Sequence, residues 1–553
     1  MSLERAVKHA GLGHGNFVDY KAPAHETNAS SFLSSTELLP AADVVRWLQE
    51  LVAARRYDVA RAIGEANYAR FSELPEFLTA LRAVYSKTGA VSLALRVSFD
   101  LARLGKTSPA SMRVASGRLR ELSGWIPQIS GPVDEVPPMN SRRIMHLVKE
   151  SRPFLSNGFV ARSHANFLAE IEAGLEPHVV TEPGFARRHA GNNFRSSAPL
   201  DSVPHHHLDL GDIDYSALPV DRYLEMFAEL AYQRLRIIRP SVIHVSSGRR
   251  GFETALVGLA LKQKTGLPLV YEVRSFFEGN WTSEMEQESR GEVFQRRMAV
   301  EEMCMHAADF VLTLGASMRD ELVGRGIPAE KIGLIPNGVD VGNFTPGPKP
   351  EKLVKSIALE DTFVFGYISN MDHYRESQET LVEALAIARS RGIEATLLLV
   401  GSGPRAKIVR QCAKDLGVAE HLRIVGHVDH QEIVDYYRLI DLFCVPRIPE
   451  RAGKYVTPLK PFEAMACGVP VAVSDLPALR EIVSETRGFT FAPGEAQAIV
   501  ALLENAMAQP DRFRSVADEA RAWVVTQRQW KFNGPRYAAA FEKARNREGI
   551  SQC

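Results

Sequence analysis

The sequence predicts an α/β protein of two successive doubly wound, Rossmann-like lobes that face each other, preceded by an α-helical region. Three observations carry this. From Arg143 onward, short apolar runs alternate with amphipathic stretches, the pattern of parallel strands covered by helices on both faces. That alternation stops at the proline- and glycine-rich FTPGPKPEKL (Phe344–Leu353) and then restarts. Between Ala41 and Leu122 the apolar spacing is helical, with no strand-like alternation.

The elements follow in order. Residues 1–40 are polar, rich in Gly, Ser and His, and are expected to be loosely ordered. Val44, Leu48 and Leu51 begin one helix face, and Leu78, Leu81 and Val84 continue the theme. RRYDVARAIGEA (Arg55–Ala66) is answered 33 or 34 residues later by TGAVSLALRVSF (Thr88–Phe99). That offset suits a helix-hairpin repeat of the tetratricopeptide kind as well as a plain helical extension. SGPVDEVPPMN (Ser130–Asn140) reads as a linker, giving a first domain of 1–140. Within 141–345, RIMHLVKE, HVVTEP, SVIHVSS and PLVYEVR are strands, and HANFLAEIEAGL (His164–Leu175) is a helix. Within 346–530, FVFGYIS, ATLLLVGSG, LRIVGHV, DLFCVP and VPVAVSD are strands with helices between. The last helix, in 531–553, lies outside this alternation and is expected to cross back to the first lobe. Facing lobes of this kind bind ligands in a cleft beyond the carboxyl ends of their strands.

Composition narrows the function. A chain of 553 residues with 45% hydrophobic and 24% charged residues is an ordinary globular protein of about three domains. Its 66 basic and 66 acidic residues cancel, which excludes a chain-wide footprint for nucleic acid. The five cysteines form no CxxC pair, against a disulfide scaffold or a cysteine-built zinc site. No apolar run approaches the ~18 residues of a membrane span, and MSLERAVKHAGLGHG has no secretory stretch. The expectation is a cytoplasmic protein, at most peripheral at the inner face of a membrane.

The most specific stretch is VPRIPERAGKYVTPLKPFEAMACGVPVAVSD (Val445–Asp475): a strand end, a long loop and a helix from near Pro461 to Gly468. A proline is tolerated in a helix's first turn because its missing N–H would be unpaired there. The free N–H groups and dipole of a helix start suit a diphosphate, and Lys460 adds a point charge. Glu463, one turn in, is placed to accept ribose hydroxyls. The alternative is a solvated Lys460–Glu463 surface pair.

The segment PLKPFEAMACGVPVAVSD resembles the C-terminal signature of family 4 of the retaining, nucleotide-sugar-dependent glycosyltransferases, which have the GT-B fold. PNGVD (Pro336–Asp340), GSGP (Gly401–Pro404), RGIPAEKI (Arg325–Ile332) and an NGFVARSH loop (Asn157–His164) match in the family's order, over residues 142–530. The resemblance implies transfer of a sugar from a nucleotide-diphosphate donor to a glycan or lipid-linked acceptor of surface-polysaccharide or glycoconjugate synthesis. It implies retention by front-face departure, with no cofactor and no metal. Lys460, Arg447 and Arg274 are then the catalytic cations. Glu463, Pro461, Leu459, Thr457, Arg375, Gly401 and Gly403 line the donor, and Asn157, Gly158 and Arg162 form an acceptor loop. With Arg152, the basic loop suits an acidic acceptor.

Two departures stand out. Tyr455 lies eight residues before Glu463, where the family often has a second glutamate. Arg274 stands where many members have histidine, and it either faces the diphosphate or an acidic sugar, or pairs with Glu272 on the same strand face. His205, His206 and His207 are expected in an exposed loop rather than on a metal, and His244 is a binding candidate or a core histidine. The competing readings are a nucleotide-sugar epimerase, a phosphorylase, or a non-catalytic scaffold acting through partners or self-association at 41–122. The retained Lys460 and Glu463 count against the scaffold. A chain starting near Asn140 is expected to keep nucleotide binding.

Overall fold

A computed structural model describes residues 39–546 except Ser216, Arg249, Arg250, Ser283, His430 and Gln431. The loose order expected at the N-terminus falls on residues 1–38, outside those described. The chain divides into two compact units. One comprises Met1–Ile126, Asp214–Glu225 and Glu278–Glu301, and the other Pro127–Ile213, Met226–Phe277 and Glu302–Cys553. The boundary read at 140 is therefore corrected in two respects. The helical unit ends at Ile126, and it takes in two segments from what the sequence assigns to the first lobe. Ser130–Asn140 is no slack linker either. Asp134 N–H donates to the Lys264 carbonyl and Met139 N–H to that of Arg239, both at 2.8 Å, which lays this stretch along the first lobe.

The helical unit holds α1 (Ala41–Ala53), α2 (Tyr57–Phe71), α3 (Pro75–Lys87), α4 (Val91–Arg103) and α5 (Pro109–Glu121). Their first residues, 41, 75 and 109 in one series and 57 and 91 in the other, recur every 34 residues. This is the period of stacked helix hairpins. Equivalent positions keep equivalent roles, with Val44, Leu78 and Met112 all buried. Gly64 and Ser98 are the small pair, and a Cβ on Gly64 would sit 2.5 Å from Leu81 Cδ1. The turns between helices hold the segment Glu278–Glu301. Arg55 pairs with Glu284 at 2.9 Å, Gly89 packs under the Trp281 ring, and Arg296 donates to Ser123 Oγ at 3.3 Å. These three turn positions again lie one period apart. A second register repeats the device, with Asp58 facing Arg290 at 3.4 Å and Ser92 N–H donating to Glu292 at 2.8 Å.

The second unit contains both sheets. The first has β1 (Arg143–Val148), β2 (Glu176–Thr181), β3 (Ser197–Leu200), β4 (Val203–His207), β5 (Val242–Ser246), β6 (Leu269–Glu272), β7 (Phe310–Thr313) and β8 (Ile332–Leu334). Their order is β3-β4-β2-β1-β5-β6-β7-β8, parallel throughout except for β3 on β4. The second sheet has β9 (Phe363–Ile368), β10 (Ala395–Val400), β11 (Leu422–Gly426), β12 (Leu442–Val445), β13 (Val471–Ser474) and β14 (Phe489–Phe491). It is wholly parallel in the order β11-β10-β9-β12-β13-β14. Such sheets are covered on both faces, which is why ATLLLV on β10 is buried at every residue. The strand order reverses between β1 and β5 and between β9 and β12, where doubly wound sheets bind ligands. The two-lobed GT-B architecture is thereby in place.

The last helix, Asn533–Arg545, packs on the first sheet. Its Tyr537, Ala540, Phe541 and Ala544 fall on one face at i, i+3, i+4 and i+7 and join Ile144, Val242, Val270 and Phe310 in one core.

The three consecutive histidines correct another expectation. They are the last three residues of β4, all less than a tenth exposed, rather than a loop. Each finds a neutral partner. His205 Nδ1 reaches the Val203 carbonyl at 3.0 Å, His206 stacks on His178, and His207 meets Thr181 Oγ1 at 3.2 Å.

Candidate active site

The carboxyl ends of β9 and β12 gather the charged residues of the second lobe. Arg447, two residues past β12, is 7% exposed. Its Nη2 and Nε donate to the two oxygens of Glu376 at 2.9 and 3.2 Å, and its Nη1 donates to the Val456 carbonyl at 2.9 Å. Glu376 belongs to the turn Tyr374–Glu376 after β9 and also accepts the Tyr367 hydroxyl. Burial pushes its pKa up, but Arg447 and then Lys460 more than offset this and hold it at about 2. Arg447 is thus matched by a buried carboxylate. The solvated surface charge that is the alternative for Arg447 is not what the structure shows.

Lys460 is different. It opens the helix Lys460–Ala466, is half-buried, and makes no hydrogen bond or ion pair among the described residues. Burial lowers its pKa, with Glu376 opposing. Arg375 approaches Glu376 and Glu450 at 3.7 Å each, and Glu450 accepts the Ala452 and Gly453 N–H groups at 2.9 Å. Arg375, Arg447 and Lys460 are set against Glu376, Glu450 and Glu463, and of the three cations only Arg447 is fully engaged in hydrogen bonds, since Lys460 and Arg375 Nη1 make none among the described residues. Glu463, one turn on, has Oε2 held by the Tyr437 hydroxyl at 2.5 Å, which fixes the carboxylate.

The helix start itself contributes less than the sequence suggests. The helix is two turns long, Pro461 has no N–H, and the N–H groups of Phe462 and Glu463 both point back to the Leu459 carbonyl. Side-chain charge, more than the dipole, defines this end. Gly401 and Gly403, at φ of 143° and 151°, lie where a Cβ would strike the carbonyls of Ser369 and Met371. They let the loop after β10 lace into the loop after β9, with Met371 N–H donating to the Ser402 carbonyl at 2.8 Å.

The loop ahead of Lys460 touches the first lobe. Tyr455 meets Phe276 edge-on at 5.9 Å, with the Arg451 guanidinium 4.6 Å above the Phe276 ring. Aromatic packing therefore occupies the position where the resembled family often has glutamate. The Thr457 carbonyl accepts Asn337 Nδ2 at 2.7 Å. Leu459 faces Gly158, whose Cβ, if present, would lie 3.5 Å from Leu459 Cδ1. Pro461 is buried.

In the first lobe, three expected roles are corrected. NGFVARSH is not a loop: Asn157 caps the helix Gly158–Glu172, its Oδ1 accepting Val160 N–H at 3.0 Å. Arg162 lies inside that helix, 3% exposed. It donates to Glu272 at 2.5 Å, Asn337 Oδ1 at 2.9 Å and the Ile335 carbonyl at 2.9 Å, so no acceptor can reach it. Arg274 donates to Ser163 Oγ at 2.6 Å and Glu272 at 3.1 Å. The ion-pair reading of Arg274 is the one realised.

Glu272, fully buried, also accepts the Tyr537 hydroxyl at 2.9 Å and lies 3.3 Å from His244 Nε2. Burial pushes its pKa up, yet Arg274 and Arg162 keep it well below the usual carboxylate range. From His244 a line of buried groups continues. Its Nδ1 meets His146 Nδ1 at 2.9 Å, and His146 Nε2 meets Glu170 at 3.0 Å. Burial raises the pKa of Glu170 and lowers that of His244 to about 4, which keeps His244 neutral at neutral pH.

Sequence reasoning missed Glu376, Tyr437 and Phe276. Only Glu376 left a signal, as an acid beside Arg375 just past a strand end. Among the described residues no group of three His, Cys, Asp or Glu side chains is placed to hold a metal ion.

Comparison with known proteins gives two family matches. The family described as "Glycosyl transferase 4-like domain" matches residues 161–338, and "Glycosyl transferases group 1" matches 362–509. A curated relative, the GDP-mannose-dependent alpha-(1-6)-phosphatidylinositol monomannoside mannosyltransferase of Mycolicibacterium smegmatis, is 29% identical over 42% of this chain and 61% of its own length. The protein of the same description from Mycobacterium tuberculosis is 32% identical over 40% and 58%. The chain thus spans about three-fifths of the length of these relatives. Among solved structures, sucrose-phosphate synthase from Thermosynechococcus elongatus superposes with a TM-score of 0.60 at 21% identity, covering 72% of this chain and 98% of that one. Anabaena Alr3699/HepE in complex with UDP and glucose gives 0.56 at 18%, covering 73% and 100%. These structures share the fold.

Proposed function

Because the chain belongs to family 4 of the glycosyltransferases, with the 4-like domain in its first lobe and the group 1 domain in its second, we propose that it moves a sugar from a nucleotide-diphosphate donor to a lipid-linked or glycan acceptor with retention of configuration. The observation that carries this reading is the pair Lys460 and Glu463. A half-buried ammonium with open donors lies one turn from a carboxylate that Tyr437 holds in place. The ribose hydroxyls donate to Glu463 Oε1, and the diphosphate lies against Lys460 with Arg375 beside it. As the bond from the anomeric carbon to the diphosphate oxygen breaks, negative charge grows on that oxygen, and a preorganised cation stabilises it more than the ground state. Glu376 keeps Arg447 rigid and leaves Lys460 to meet this charge, so the reaction is proposed to need no metal. Departure from the donor's front face, with the acceptor hydroxyl entering on the same side and passing its proton to the departing diphosphate oxygen, retains the configuration. GDP-mannose is the first donor to try, since the mannosyltransferase relatives use it by name, and their phosphatidylinositol acceptors favour a lipid-linked one. No helix among the described residues is long and apolar enough to cross a membrane, and contact with the inner membrane face is proposed to be peripheral.

The test incubates the protein with GDP-mannose, and separately with UDP-glucose, plus mixed glycolipid acceptors and chelator. Nucleoside diphosphate release and the anomeric configuration of the product are followed. Acceptor-dependent release from one donor, with configuration kept, is expected. Lys460→Ala should lower kcat and kcat/KM together. Glu463→Ala should weaken nucleotide binding by about ten- to a hundred-fold. Release that needs added metal would overturn the metal-free reading, and wild-type protein inert toward every donor would overturn the assignment.

A further inference from the structure

We propose that Asn337, oriented by Arg162, is a positioning residue that seats the loop leading to Lys460 across the two lobes and so sets that lysine for turnover. This rests on the glycosyltransferase reading for its catalytic part, though its structural part stands alone.

Two successive carbonyls of the loop are held from opposite sides. Val456 O accepts Arg447 Nη1 from the second lobe at 2.9 Å, and Thr457 O accepts Asn337 Nδ2 from the loop after β8 at 2.7 Å. Lys460 follows three residues later. The amide of Asn337 has one possible orientation. A guanidinium can only donate, so the oxygen must face Arg162 Nη1 at 2.9 Å and the NH₂ must face Thr457. Arg162 is itself fixed by Glu272 and by the carbonyls of Ile335 and Pro336. Asn533 adds a second donor to Pro336 O at 2.9 Å. Asn337, Thr457, Arg162 and Glu272 are all more than nine-tenths buried, so water cannot replace a lost partner cheaply. The path from Glu272 to the Lys460 loop is thus a chain of donors with one arrangement, and it joins the lobes without a ligand.

The experiment compares wild type with Asn337→Asp, which keeps shape and pairs well with Arg162 but turns a carboxylate oxygen toward the Thr457 carbonyl. Amide hydrogen exchange over residues 455–460 should quicken at least ten-fold, while affinity for GDP or UDP, by calorimetry, stays within about three-fold. Turnover should fall at least ten-fold, and on a Lys460→Ala background the same change should cost nothing more. Unchanged exchange would overturn the proposal whatever the activity. So would normal turnover despite faster exchange, or an equal loss on both backgrounds, which would mark a merely structural role. A wild type that transfers no sugar sinks the functional reading, and exchange still decides whether Asn337 seats the loop. If Asn337→Asp does not fold, Asn337→Ser carries the same measurements.

Discussion

At the scale of single residues, charge was readable and pairing was not. Lys460 and Glu463 stand out because their setting is local, one helix turn. Arg447, Arg162 and Arg274 look alike in the sequence, yet Arg447 and Arg162 are paired with carboxylates on other elements, and Arg274 shares the neighbouring Glu272 with Arg162. Glu376 lies 71 residues from Arg447, and Glu272 lies 110 from Arg162. Such a buried pair is expensive to break. Arg447→Ala should destabilise the second unit by about 3–5 kcal/mol, because Glu376 is left buried with less compensation. Denaturant unfolding measures this, and an unshifted midpoint would contradict the pairing. The histidines set a pH window. Burial lowers the pKa of His207 and His244 to about 4 and that of His206 to about 3. Unfolded histidines titrate near 6.5. Between pH 6.5 and 4 the unfolded chain therefore takes up protons that the folded chain refuses, and stability falls as pH falls through that window. A urea midpoint that is level above pH 7 and drops below pH 6 is expected. A constant midpoint down to pH 5 would contradict it.

At the scale of elements, alternating patterns were legible and irregular ones were not. The parallel strands announce themselves as continuous apolar runs, as in ATLLLV and RIMHLV. β4 does not, because three histidines carry no apolar signal; their burial depends on partners such as His178 and Thr181 on the neighbouring strand. The helical repeat left only a faint echo because its equivalent positions conserve size and burial, not identity: Ile63 with Val97, Gly64 with Ser98. NGFVARSH reads as a loop in the sequence because Asn-Gly signals a turn as readily as a cap. One element deserves a test of its own. The Glu292 carboxylate accepts the N–H and hydroxyl of Ser92 at the start of α4 and also faces Arg296. Glu292→Ala should cost about 1–3 kcal/mol and speed amide exchange in the first turn of α4. Unaltered exchange there would show the contact to be idle.

At the scale of the whole molecule, the two-lobed plan followed from the break at Phe344–Leu353, but the division into units did not. Trp281, Glu284, Arg290, Glu292 and Arg296 belong by sequence to the first lobe and by packing to the helical unit. No composition shift marks their segment, since its burial depends on turns some 200 residues away. A chain starting near Asn140 keeps every donor-lobe residue, so nucleotide binding should survive, but the uncovered segment should become labile. Limited trypsin digestion should cut at Arg290, Arg296 or Arg297 in the shortened chain and spare them in the full one. Equal resistance would mean that the helices do not protect this segment.

The recurrence at Arg55, Gly89 and Ser123 also constrains how this protein can change over generations. Excising Pro75–Ser108, one whole period, would join Leu74 to Pro109 and leave the remaining helices in proper succession. It would also delete the rungs at Gly89 and Ser92, so that Trp281 and Glu292 lost their seats while Glu284 kept its own. A lineage that gained or shed a repeat would have to lengthen or shorten the stretch after Phe277 in the same step. Length variation in the array and length variation in that stretch should therefore be inherited together.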